Sequence, residues 1–229
     1  MTFAAPRLTL LEAPGFPAFN GSLRDLFATL DDLLACGGDP RLTLDPISRL
    51  NDYGCGASPL PQTLSFASST ASTISERGYE RAGLAREELM RLAIAVGLEE
   101  ALETRMEEMR EELKSYLSLP SKAVDVVFSP SGTDSQLHAL ALAHSLLGPG
   151  LKTIVVGADQ TGSGTSFTAR GRHFNRLTAN GAVVRKDTPI EGLSGAAIAL
   201  PLADASGLTL RGDADAVVLA AVETAVADG

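Results

Sequence analysis

The sequence predicts an α/β protein: a layered sheet with helices, preceded by a helical and loop-rich region. Three observations carry this. From about residue 120 onward, short β-forming runs alternate with apolar segments of helical length. Gly, Pro and Asn punctuate the transitions. The first 119 residues lack that alternation and hold instead an arm rich in Pro, Gly and Phe, a short helix, a long polar loop and a charged helix. The expected division is therefore 1–119 and 120–229.

In chain order, residues 1–22 read as an extended arm. Leu23 to Leu34 reads as a short amphipathic helix, with Leu23, Leu26, Phe27, Leu30 and Leu34 on one face, ended by Gly37-Gly38-Asp39-Pro40. Residues 41–75 are irregular and contain Asn51-Asp52-Tyr53-Gly54-Cys55-Gly56 and Phe66-Ala67-Ser68-Ser69-Thr70-Ala71-Ser72. A loop of that length is uncommon without a function in a compact domain. Residues 79–118 read as helix. Leu102, Met106, Met109, Leu113 and Leu117 form a stripe, and seven glutamates between Glu99 and Glu112 face Arg105, Arg110 and Lys114 as a solvated, ion-paired face.

Pro120 closes that helix. Val124, Val126, Val127 and Phe128 then predict a strand, and Asp134 to Leu147 a largely buried helix. Thr153 to Val156 predicts a second strand, and Asp159 to Thr165 a polar loop. Phe167 to Asn180 predicts a helix closed by Asn180-Gly181. Ala182 to Arg185 and Ala196 to Leu200 predict further strands, and Asp213 to Ala227 a last helix started by Asp213.

Composition bounds the function. A chain of 229 residues with 45% hydrophobic residues can bury a full core. A net charge of −9 argues against nucleic acid as a partner. No apolar run reaches membrane-spanning length, and Met1-Thr2-Phe3 opens no signal peptide. Cys36 and Cys55 make no disulfide framework, and His138, His144 and His173 show no metal-ligand spacing. The expectation is a cytoplasmic protein without a metal.

The candidate site is the turn Ser131-Gly132-Thr133-Asp134, which heads a helix after a strand. A helix N-terminus offers unpaired N–H groups and a partial positive charge, Gly132 admits a bulky anion, and Ser131 and Thr133 carry hydroxyls. Those parts can form a phosphate cup. The same residues can equally be an ordinary N-cap, with Ser131 and Asp134 closing a box. Other chemistries find less support: there is no G-x-G-x-x-G and no G-x-x-x-x-G-K-[ST]. Ser131 lacks the G-x-S-x-G elbow, with His173 the one plausible base downstream.

Ser131-Gly132-Thr133-Asp134-Ser135, after a short strand and before an apolar helix, resembles the phosphate-binding turn of fold-type I pyridoxal phosphate enzymes. The nearest branch is the class V aminotransferase and cysteine desulfurase group. The resemblance spans about residues 45–229. It implies a layered α/β/α large domain, with Ser131, Gly132, Thr133, Gln160, Thr161 and Asp204 at the cofactor. It also implies that Tyr53, Gly54 and Cys55 form an N-terminal substrate loop. Residues 120–229 would then be the first part of the cofactor-binding domain. The activity implied is transamination or C–S or C–N bond cleavage on an amino acid.

The departures are equally specific. The family holds its cofactor as a Schiff base with a lysine, and Lys114, Lys122, Lys152 and Lys186 do not fit that role. The ring-stacking aromatic or histidine is absent from Asp159 to Thr165, where Gln160 or Thr161 stands instead. The expectation is thus a subunit or N-terminal half with no catalytic residue of its own. A second chain would supply the lysine, and the assembly expected is a dimer of heterodimers. That chain would also complete a sheet that otherwise stops short and leaves an open edge. A non-catalytic structural subunit of such a complex is the alternative, and a nucleotide-binding module a third reading.

Overall fold

The computed structural model describes residues 26–36, 42–64, 72–120, 122–193, 195–203 and 212–228. It is mixed α/β, with several helices and a small two-stranded parallel sheet. The chain divides into two compact units, residues 1–127 and 128–229. No described helix is long and apolar enough to cross a membrane.

In the first unit, helix α1 spans Leu30–Ala35. Among the described residues of the helix predicted over Leu23 to Leu34, the α-helical turns begin at Leu30, where Thr29 caps them: its hydroxyl accepts from Asp32 N at 3.2 Å and donates to the Asp32 carboxylate at 2.6 Å. Residues 23–25 lie outside the described residues. Helix α2, Glu76–Val96, begins at Ser75, whose side chain accepts from Gly78 N. Helix α3 spans Leu98–Tyr116.

The sequence predicts one helix over 79–118, and the structure corrects this to two. Gly97, at φ 95°, adopts a backbone conformation that side chains disfavour, and so ends α2. The two helices pack against each other as an αα-hairpin. Ala93 and Ala101 are buried with Leu26, and Leu89, Met90, Leu92 and Leu98 pack around them. Small residues at that contact let the backbones approach. The acidic face of α3 carries the expected ion pairs: Arg105–Glu108 at 2.8 Å, Arg110–Glu107 at 3.0 Å and Lys114–Glu111 at 2.9 Å. Each is an i,i+3 pair.

The strand expected over 124–128 does not form. β-Forming residues need a neighbouring strand to complete a ladder. Here the Val126 carbonyl accepts instead from Arg110 Nε at 3.1 Å, and Val127 is exposed.

In the second unit, helix α4 spans Gly132–Leu147. It is not largely buried as its composition predicts: Leu140 is buried, whereas Leu142, Leu146 and Leu147 are exposed. Strand β1, Lys152–Val156, pairs in parallel with β2, Ala196–Leu200, in the register Lys152↔Ala196 through Val156↔Leu200. Both strands match their sequence expectation. Helix α6, Ala214–Ala227, matches as well, with Asp213 accepting from the N–H groups of Asp215 and Ala216.

The crossover between the strands departs from expectation. The helix predicted over 167–180 contracts to the single turn α5, Thr165–Thr168. Gly171, at φ 63°, reverses the chain. Residues 172–189 then double back on themselves through bridges Arg172–Pro189 and Leu177–Val183. Asn180-Gly181, read as a helix C-cap, is the tip of this ribbon: Gly181 has φ 82°, and the Thr178 hydroxyl accepts from Ala182 N at 3.0 Å. The strand expected at 182–185 is one arm of the ribbon, joined by the bridge at Val183.

Candidate functional site

The turn that opens α4 is built by local capping. Ser131 is extended (φ −149°, ψ 164°), and its hydroxyl accepts from Asp134 N at 3.1 Å while donating to the Asp134 carboxylate at 2.6 Å. The capping arrangement therefore exists, and it engages the Ser131 hydroxyl. It leaves the first-turn N–H groups of Gly132 and Thr133 without a hydrogen-bond partner among the described residues. Gly132 is exposed, and a Cβ there would meet nothing within 4 Å. Two such donors at the positive end of a four-turn helix suit an anion.

The Thr133 side chain packs on the segment that follows β1. A Cβ on Gly164 would lie 2.6 Å from Thr133 Cγ2, so the close approach depends on glycine at 164. Gln136, one turn along α4, ties the two segments together. Its Nε2 donates to Thr165 Oγ1 at 3.2 Å, and its Oε1 accepts from Thr168 Oγ1 at 2.6 Å. Thr168 is fully buried. Gly164, Gln136 and Thr168 were not singled out by sequence reasoning. The closely spaced glycines and hydroxyls of Gly162-Ser163-Gly164-Thr165 were the available signal.

Gln160 and Thr161 sit in the exposed turn after β1, where Gln160 N donates to Gly157 O at 2.8 Å and Thr161 Oγ1 to Ala158 O at 3.2 Å. Between the strand and these residues lies Asp159. Its two carboxylate oxygens accept from Leu202 N at 3.0 Å and Ala203 N at 2.9 Å, clamping the segments that leave the carboxyl ends of β1 and β2. Desolvation pushes this carboxyl up. The N–H groups of Ala203 and Leu202, its own N–H and the Gln160 side chain outweigh that, and the net pKa is lowered. Asp204 lies outside the described residues, immediately after the clamped Ala203.

Tyr53, Gly54 and Cys55 belong to the first unit. Asn51 shapes their turn: its side-chain oxygen accepts from Tyr53 N at 2.9 Å and Cys55 N at 3.0 Å. Gly54 takes φ 73°, Tyr53 is partly exposed and Cys55 is buried. Asn51 and Gly56 border a cavity of about 230 Å³ with Leu34, Leu42 and Leu44.

Comparison with protein-family models, curated proteins and solved structures finds no match to this chain.

Lys114, Lys152 and Lys186 have partners within their own units, and Lys122 lies on the surface. Lys114 pairs with Glu111, and Lys152 Nζ donates to Ala225 O at 3.2 Å at the end of α6. Lys186 lies over the Phe167 ring, 4.7 Å from its centre, and Lys122 is exposed. Among the described residues, no group of three or more His, Cys, Asp or Glu side chains is arranged to hold a metal ion.

Proposed function

We propose that this chain is the phosphate-holding part of a pyridoxal phosphate-dependent enzyme acting on an amino acid, with the covalent lysine supplied by another chain. The observation that carries the reading is the pair of N–H groups at Gly132 and Thr133 that have no partner among the described residues, at the start of a helix whose exposed first residue has open space where a Cβ would stand. These groups fit a phosphate dianion. Gly132 and Thr133 would donate to it through the backbone. Ser131, already bonded to Asp134, would hold the turn rather than the ligand, which amends its expected role as a hydroxyl donor. When bound, the cofactor supplies an electron sink that labilises a bond at Cα or Cβ of the substrate.

Other side chains of this chain act by positioning. Thr133 and Gln136 fix the 162–168 segment against α4, and Asp159 fixes the segment leading to Asp204. Gln160, Thr161 and Asp204 are proposed ring and hydroxyl contacts, and Tyr53, Gly54 and Cys55 a substrate loop. Transamination and C–S or C–N cleavage are both consistent with this set. The proposed assembly is a heteromer, paired again by symmetry.

A non-catalytic role in the same complex is the second reading. It is favoured by one observation, the engagement of the Ser131 hydroxyl within its own cap. Titration with pyridoxal phosphate separates the two. Saturable binding that inorganic phosphate displaces, without a stoichiometric lysine adduct after borohydride reduction, supports the first. No displaceable binding supports the second. One stoichiometrically reduced lysine among the four would overturn the proposal that another chain provides it.

A further inference from the structure

Between the first turns of α4 and the ribbon 172–189 lies a cavity of about 370 Å³. That is within the range of roughly 300–1,000 Å³ found for small-molecule sites. Its walls are mainly apolar: Leu137, Phe174, Leu177 and Ile190 line it. Asp134, His173 and Asn175 are among the polar residues that line it. Asp134 and Leu137 are three apart on α4 and so share one face.

The polar groups are unequally committed. Thr178 and Asn180, at the ribbon tip, are hydrogen-bonded to each other. Asp134 gives one carboxylate oxygen, Oδ2, to the Ser131 hydroxyl, while its Oδ1 has no partner among the described residues. Asp134 is the one formally charged residue in the lining, beside the His173 ring, the Asn175 amide and an apolar chamber. Such a site selects a ligand with an apolar body and a single cationic donor, because an ammonium can bond the oxygen while the body replaces water against the apolar walls. An anionic ligand would be repelled, and a neutral one would forgo the charge-assisted bond.

We propose that this cavity is a binding site for a small primary amine with an aryl or branched apolar body. The inference does not rest on the cofactor reading, since the cavity is lined without Gly132 or Thr133.

The test uses 2-phenylethylamine, 2-phenylethanol and phenylacetate as matched probes, titrated calorimetrically against the full chain. The amine should bind saturably, the alcohol about tenfold more weakly, the difference expected for one charge-assisted hydrogen bond, and the acid not at all. Asp134→Asn should bring amine and alcohol to the same affinity. Ala179→Phe, which fills the chamber from the ribbon tip, should abolish binding of both while leaving the circular dichroism spectrum unchanged. The proposal is overturned if the amine does not bind, or if the acid or alcohol binds as tightly as the amine. It is equally overturned if a folded Ala179→Phe variant retains binding. Should Asp134→Asn fail to fold for want of its cap, the wild-type ranking and the Ala179→Phe result decide alone.

Discussion

Gly132→Pro isolates the backbone contribution of the α4 turn. Gly132 is the first residue of the helix, where the N–H has no intrahelical acceptor and proline is well tolerated. Its predecessor, Ser131, already has the extended backbone that a following proline requires (φ −149°, ψ 164°). Open space surrounds the position of the added Cβ. The substitution therefore deletes one N–H donor and leaves the fold intact. By restricting the unfolded chain it should stabilise the protein by about 0.4–1 kcal/mol. A hydrogen bond to a charged group contributes roughly 1.5–3 kcal/mol. Loss of one from a bound phosphate should therefore weaken binding about ten- to hundredfold. The assay is spectrophotometric titration with pyridoxal phosphate, alongside a thermal melt of the same sample. A higher melting temperature with weaker binding is the expected pair of results. An unchanged Kd in the folded variant would refute the placement of phosphate on this turn.

Three further outcomes follow from contacts elsewhere. Gly164→Ala should destabilise by about 1–3 kcal/mol, because its methyl would lie 2.6 Å from the Cγ2 of a β-branched residue with little rotamer freedom; denaturant unfolding measures this. Asp213→Ala should cost about 0.5–2 kcal/mol by removing the cap that serves Asp215 N and Ala216 N, and a loss of helical ellipticity on mild heating would accompany it. Asp159 has a lowered pKa in the fold, so its contribution is present above the ordinary aspartate value and is lost as pH falls through the folded-state value. Asp159→Asn should flatten the acid limb of a stability-versus-pH curve, and an acid limb identical to wild type would remove the clamp from the account.

Local signals were legible in the sequence where one residue determines the outcome. Asp213 announces α6, and Ser131 announces α4 within two residues of the expected start. The short apolar runs at 153–156 and 196–200 emerge as strands because each finds the other as a parallel partner. The run at 124–128 is richer in β-formers than 196–200 and has no ladder, since pairing is a tertiary property that β-propensity does not encode. The predicted helix after Phe167 fails for a related reason. Apolar spacing continued past Gly171, and the left-handed backbone at that glycine together with the Thr178–Asn180 tip turned the segment into a ribbon. Gly97 had the same effect inside a helix of otherwise uninterrupted pattern. At the site, the turn was visible as a motif, whereas its packing against Gly164 and Gln136's bond to buried Thr168 required the fold.

The parallel pairing of β1 with β2 also sets the order in which the second unit can form. Their ladder cannot close until the whole crossover, α5 and ribbon included, has brought Lys152 and Ala196 together. Loop-closure entropy must be met before any ladder bond is made, so this contact belongs to the slow, non-local class. The Asp159 bonds to Leu202 and Ala203 lie just beyond the strand ends and become available only after that closure. They act as a latch on an assembled sheet rather than as part of its nucleus. Weakening them should accelerate unfolding and leave the refolding rate nearly unchanged.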